Sequence, residues 1–173
     1  MKKIILRLLK DNDDDYSLLE KWYQEEEIYS SFEQRKLSFD EIKKKYYPRT
    51  LENSMVPVYM IEYDKVPIGI IQYKLLDKND KKLYKLEDKN IYELDIFIGR
   101  LDMHNKGIGS NAIKQMMNFL IKNKEADMLV MCPLKSNIKA INCYKKCGFN
   151  IINSFRTEDT IGKIQDYILM VYK

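Results

Sequence analysis

Two glycines stand directly in front of a strongly periodic helical pattern in HNKGIGSNAIKQMMNFLIK, residues 104–122. Glycine at a helix mouth lets backbone come close to a ligand, because any side chain would intrude. The amides of a first helical turn also attract anions, phosphate above all. A few residues upstream, Asp95 interrupts the otherwise apolar run ELDIFIG, where an acid is costly to bury without a partner. Strand alternation puts Glu93 on the same face as Asp95.

The stretch GIGSNA fits the dinucleotide fingerprint G-x-G-x-x-G/A, and Asp127 even lies twenty residues beyond Gly107. Context argues against that reading. In a nucleotide-binding unit the glycines begin where the strand ends and the acid closes the next strand. Here the loop RLDMHNK intervenes, and Asp127 precedes its strand. No G-x-x-x-x-G-K-[ST] segment occurs, which excludes a Walker A loop. His104 is the single histidine, and no cysteine pair has zinc spacing, so no metal site is expected. Cys143 and Cys147 lie one helical turn apart, a spacing that reads as packing.

Several elements must position these residues. IILRLL (4–9) reads as a strand, and the DNDDD run after it supplies turn residues and a helix cap. A short helix follows over 16–24. A second helix opens with the capping box Ser38–Glu41 and is expected to stop at Pro48. Segments 56–63 and 66–76 form a hairpin around Asp64-Lys65, residues 77–90 a charged loop, and 91–99 a third strand. Beyond the glycine pair, Ile108, Ala112, Met116 and Leu120 trace one helical face. MLVMC (128–132) reads as a buried strand. A helix capped by Ser136 or Asn137 and stopped by Gly148 follows, then strands at 149–155 and 166–173. The expected class is α/β (α+β): a mixed, mostly antiparallel sheet of about seven strands flanked by about four helices.

The 173 residues are expected to form one domain, 1–173. With 45% hydrophobic and 32% charged residues, the chain falls among globular sequences rather than disordered ones. Its formal net charge of +4 is spread over lysines interleaved with acids, which speaks against nucleic acid as a partner. No stretch is long enough to cross a bilayer. Arg7 and the aspartates after it are inconsistent with a signal peptide. Three cysteines read as reduced thiols, and a cytoplasmic location without membrane attachment is expected.

The loop HNKGIG opening a helix, followed by a strand and then by NIKAINCYKKCGF, resembles the GNAT superfamily of acetyl-CoA-dependent N-acetyltransferases. In that second signature Asn137, Ala140, Tyr144, Lys146, Gly148 and Phe149 match in type and spacing. The first loop position, usually Gln or Arg in the superfamily, is His104 here. LLEKWY, VPIGIIQYKL, YELDIFIG and GKIQDYILMVYK extend the resemblance toward the aminoglycoside 6'-N-acetyltransferases over nearly the whole chain.

The resemblance implies acetyl-CoA as co-substrate, no metal, and direct attack of an amine on the thioester. It implies that His104, Asn105, Lys106, Gly107, Ile108, Gly109 and Ser110 cradle the pyrophosphate, that Phe97, Ile98 and Gly99 offer backbone to the pantetheine, and that Asn137 and Tyr144 also contact the cofactor. Asp95 matches the acid that contacts the reacting amine, and Tyr144 the phenol that protonates the leaving thiolate. Tyr92, Asp95, Asp166 and Glu26 are the candidates for the acceptor pocket. The implied partner is a small-molecule amine, an aminoglycoside first, with a monomer or homodimer as the assembly. Two departures stand out: Cys132-Pro133 replaces a common Asp-Pro, and Ile96 replaces a glutamine. The alternatives are an enzyme acting on a protein N-terminus or another small amine, and a non-catalytic module that binds CoA or an aminoglycoside.

Overall fold

A computed structural model describes residues 3–173. In chain order it contains β1 (Ile4–Leu8), α1 (Asp13–Trp22), α2 (Glu26–Phe32), α3 (Phe39–Thr50), β2 (Val58–Tyr63), β3 (Val66–Leu75) and α4 (Lys78–Tyr84). The second half holds β4 (Ile91–Ile98), α5 (Ile108–Asn123), β5 (Met128–Met131), α6 (Ile138–Lys146), β6 (Asn150–Glu158) and β7 (Ile164–Tyr172). All seven strands join one sheet in the order β1-β2-β3-β4-β5-β7-β6.

Among the described residues only β4 and β5 run parallel, and their ladder is short: Ile91, Tyr92 and Glu93 face Met128, Leu129 and Val130. On its other edge β4 stays paired with β3 as far as Ile98, opposite Gly69. The stretch 94–98 of β4 is therefore held straight by one neighbour while the other has left it. Pro133 contributes to the departure, since it has no N–H to continue a ladder. A V-shaped gap results in the middle of the sheet.

Strand alternation sorts the core onto two faces. Tyr92 and Leu94 pack against Ile108, Ala112 and Met116 of α5 and against Ile141 and Tyr144 of α6. Phe97, Ile70 and Met60 pack beneath Tyr16, Leu19, Trp22, Ile42 and Tyr46 of α1 and α3. A third cluster joins Tyr84 of α4 to Ile91, Val130 and Leu169.

Among the described residues, six helices rather than four flank the sheet. The first of the two extra helices, α2, lies in an acidic stretch whose entry residue, Glu25, makes no side-chain cap. The other, α4, falls in the segment expected as a charged loop, where Asp77 caps it through the amides of Asn79 and Asp80. Each has seven residues, too few for a periodic apolar face to register. Pro48 does not stop α3, which continues to Thr50. The closing hairpin also extends further than expected, with β6 reaching Glu158 and β7 starting at Ile164.

One ion-pair cluster ties the amino-terminal strand to α1. Arg7 meets both oxygens of Asp15 at 2.7 Å and Glu62 of β2 at 2.6 Å, while the Lys10 amide donates to Asp15 at 2.9 Å. Asp15 is 3% exposed. Burial alone would raise its carboxyl, but Arg7 and the Lys10 amide outweigh that and hold it below the usual carboxylate range. A folded-state pKa below the unfolded one stabilises the fold above about pH 4 and loses that contribution as the pH falls through the folded value. Arg7→Met should destabilise the protein by about 3 kcal/mol, since it strands a buried carboxylate. It should also shift acid unfolding to higher pH. Urea denaturation across a pH series measures both, and unchanged midpoints would contradict the assignment.

Candidate active site

The gap between β4 and β5 opens into a groove of about 930 Å³. One wall is the exposed edge 94–98 of β4. Opposite it stand 132–134 and the residues of α6, with the mouth of α5 at one end and α2 lying across. Because the gap passes through the sheet, it connects the face covered by α5 and α6 with the face covered by α1 and α3.

At the α5 end, Gly107 is the N-cap and has φ +74, the left-handed region that glycine enters without strain. A Cβ there would meet nothing within 4 Å, so conformation rather than crowding calls for glycine. No side chain caps α5, and no acid lies in its first turn. The positive end of a sixteen-residue helix therefore faces the groove without an internal anion, which suits a phosphate. Ser110 Oγ lies 3.3 Å from Cys143 Sγ and ties this turn to α6. Hydrogen bonds from Cys147 first, and Ser110 second, hold the Cys143 thiol down at about 6 against the opposing effect of burial.

The helix α2 is fastened across the groove. Glu27 accepts from Lys139 Nζ at 2.8 Å and lies 3.4 Å from His104 Nδ1. Asn137 Nδ2 donates to Ser31 Oγ at 3.2 Å while its Oδ1 caps α6 through the Ala140 amide. His104 Nε2 is 2.7 Å from the Ile98 carbonyl. A carbonyl only accepts, so Nε2 carries the hydrogen. The single histidine is thus part of the groove wall.

At the far end sit the acid and the phenol. Asp95 Oδ2 accepts from Gln72 Nε2 at 3.1 Å, and Gln72 Oε1 accepts from Arg49 at 2.6 Å. Next to it, buried Glu93 meets Lys74 at 3.1 Å and the Tyr84 hydroxyl at 3.2 Å. Burial first, then the Asp95 charge, push the Glu93 carboxyl up against the pull of Lys74. Tyr144 lines the opposite wall, and its phenol is raised above its ordinary value by burial and then by Asp95. It stays protonated at neutral pH. Burial and the Glu93 charge likewise push the Cys132 thiol up, so it is no thiolate.

Most residues singled out from the sequence converge here. Asp95, Phe97, Ile98, His104, Asn105, Gly107, Ile108, Gly109, Ser110, Asn137 and Tyr144 all border the groove. Five do not. Gly99 is buried under Trp22, whose ring atoms would lie 2.2 Å from an added Cβ, so this glycine makes room for the indole. Lys106 lies on the exposed loop with its ammonium 3.8 Å from Met103 Sδ. Tyr92 must face away from Asp95 by strand alternation and packs 5.8 Å from Tyr73. Asp166 is exposed and paired with Arg156 at 2.6 Å. Glu26 is exposed on α2, and its neighbour Glu27 faces the groove instead. Ser31, Lys139 and the Arg49–Gln72 pair were missed. Their partners lie far away in sequence, and α2 itself gave no signal.

A passage through a sheet, with an anion cradle on one side and a carboxylate on the other, suits transfer of a group from a phosphate-bearing carrier to an acceptor. The class is a group transferase. Residues 11–157 match the acetyltransferase (GNAT) domain family, and the chain belongs to that family. It is an acetyl-CoA-dependent N-acetyltransferase. Among relatives, it is 24% identical over 159 residues to an aminoglycoside N(6')-acetyltransferase type 1 of Klebsiella pneumoniae, covering 90% of this chain and 78% of that protein. In fold it resembles the aminoglycoside acetyltransferase AAC(6')-Ib crystallised with coenzyme A and kanamycin, with a TM-score of 0.76 and 20% identity over 99% of this chain and 95% of that one. It also resembles the spermidine N-acetyltransferase of Vibrio cholerae in complex with CoA and spermine, with a TM-score of 0.78 and 22% identity over 98% and 94%. Among the described residues no helix is long and apolar enough to cross a membrane, and no cluster of potential metal ligands occurs.

Two outcomes follow from this geometry. Glu27→Gln frees Lys139 and His104 for an anionic donor, so CoA should bind roughly two- to fivefold more tightly, the scale of an exposed ion pair. Weaker binding by calorimetry would mean that Glu27 helps the donor. Iodoacetamide should alkylate Cys143 at a plateau rate down to about pH 7 and at half that rate near pH 6, where its thiolate is half formed, and CoA should protect it. A rate that falls already below pH 8, or no protection, would contradict the placement.

Proposed function

We propose that the chain acetylates the 6'-amine of an aminoglycoside by direct attack on the thioester. The single observation behind this is that Asp95 and Tyr144 border one groove from opposite walls, the carboxylate on β4 and the protonated phenol on α6. The family supplies acetyl-CoA as donor. The amides of the first turn of α5 bind its diphosphate, and the backbone of Phe97 and Ile98, which the β5 ladder does not reach, binds the pantetheine arm and polarises the thioester carbonyl. Asp95 orients the acceptor amine and takes its proton; Tyr144 returns a proton to the departing thiolate. The aminoglycoside relative matches 90% of this chain, which supports the choice of acceptor.

A second reading is favoured by one feature. Cys132 stands where the aminoglycoside enzymes commonly carry an acid, and Glu93 and Asp80 are already matched with Lys74 at 3.1 Å each. With so few carboxylates left for a polycation, a smaller amine such as a polyamine, or a protein N-terminus, is the competing acceptor.

A panel of kanamycin, neomycin, spermidine and an N-terminal peptide, assayed for CoA release, separates the two. The reading expects aminoglycoside turnover, a fall of about 10²-fold or more in Asp95→Asn, and a smaller fall in Tyr144→Phe. Turnover of spermidine or peptide alone would replace the acceptor. Full activity of Asp95→Asn would overturn the role of Asp95, and full activity of Tyr144→Phe that of Tyr144.

A further inference from the structure

Three polar side chains are buried among the described residues: Asp15, Gln72 and Glu93. Asp15 is matched by Arg7, and Glu93 by Lys74 and Tyr84. Gln72 belongs to neither cluster. It lies on β3 in direct register with Asp95 on β4, and its amide bridges that carboxylate to Arg49 of α3.

The direction of this bridge is fixed by chemistry. A carboxamide can turn either end toward a neighbour, but a guanidinium has donors only. Arg49 therefore takes the Gln72 oxygen, and the amide hydrogens must point at Asp95. The reverse orientation would set an oxygen against the carboxylate and an N–H₂ against a cation. Arg49 is itself held over the Tyr46 ring, 5.2 Å from its centroid. Among the described residues no protein donor reaches Asp95 Oδ1, so one carboxylate oxygen is tied down and the other is left for a ligand.

We propose that Gln72 is a positioning residue for Asp95, with Arg49 setting the polarity of its amide. The inference rests on the role of Asp95 in the proposed function. Gln72 holds one rotamer of the carboxylate, so that the other oxygen keeps its place for a ligand. That matters because of the company Asp95 keeps. Facing it are Lys45 and Arg49 from α3, Glu93 from its own strand, Cys132 beyond β5 and Tyr144 from α6. Lys45 is already paired with Glu33, and Glu93 repels a second negative charge. Gln72 does not border the donor groove, so its effect should reach the reaction only through Asp95.

The test uses the full chain with ¹³C-labelled aspartate carboxyls, the Asp95 signal being identified by its loss in Asp95→Asn. At a fixed pH of about 7, that signal should shift or broaden in Gln72→Met as the donor that holds the carboxylate is lost. Arg49→Met, on the half-buried face of α3, should give a smaller change and keeps the test decisive if Gln72→Met fails to fold. With kanamycin as acceptor, Gln72→Met should lower kcat by about tenfold with KM for acetyl-CoA unchanged, and should cost nothing further in an Asp95→Asn background. An Asp95 signal identical to wild type in every variant, or equal losses in both backgrounds, would overturn the positioning role. If the signal changes but kanamycin is not turned over, the positioning role stands and the aminoglycoside reading falls.

Discussion

Three residue pairs are all that join β4 to β5, and the active site depends on the ladder ending there. A parallel ladder that continued past Glu93 and Val130 would use the backbone of 94–98 on both edges and close the sheet. Its early end leaves that backbone with one side free. The free side is not exposed wastefully to solvent, because α5, α6 and α2 wall it into a groove. Everything needed to hold β4 steady lies on the other edge, in the seven-residue pairing with β3. A rigid strand on one side and an open gap on the other is what allows chemistry in the middle of a sheet.

The same gap explains why so many charges are tolerated at the centre of the molecule. Each of the two carboxylates beside it has a partner: Lys74 and Tyr84 for buried Glu93, Gln72 for half-buried Asp95. Among the described residues no buried side-chain nitrogen or oxygen lacks a hydrogen bond. Satisfaction at this level fixes the polar strip in one arrangement, since losing any partner would strand a charge at low dielectric. Tyr144 and Cys132 then respond to that strip, both remaining protonated beside it. The helix mouth at the opposite end, with neither cap nor acid, carries the positive potential instead.

Much of this was legible in the sequence because the relevant signals are local. Gly107 needs its left-handed conformation, Asn137 caps its own helix, and Asp95 stands out in an apolar strand. What was not legible depends on contacts between distant segments. Gln72 meets Asp95 through the β3–β4 register, which the unforeseen α4 concealed by replacing an expected loop. Glu27 and Lys139 are 112 positions apart, and α2 is too short to show a pattern. Tyr92 and Asp166 were assigned by resemblance, and both lie outside the groove for a geometric reason: the first faces the α5 side of the sheet, and the second is tied to Arg156 at the surface.

Amide hydrogen exchange with and without CoA tests the central claim, that the gap between β4 and β5 is where the donor lies. Exchange should slow at residues 94–98 and 107–110 on adding CoA and stay unchanged along β1 and β2 at the far edge of the sheet. Protection confined to other segments, or none at a CoA concentration that saturates the protein, would contradict it.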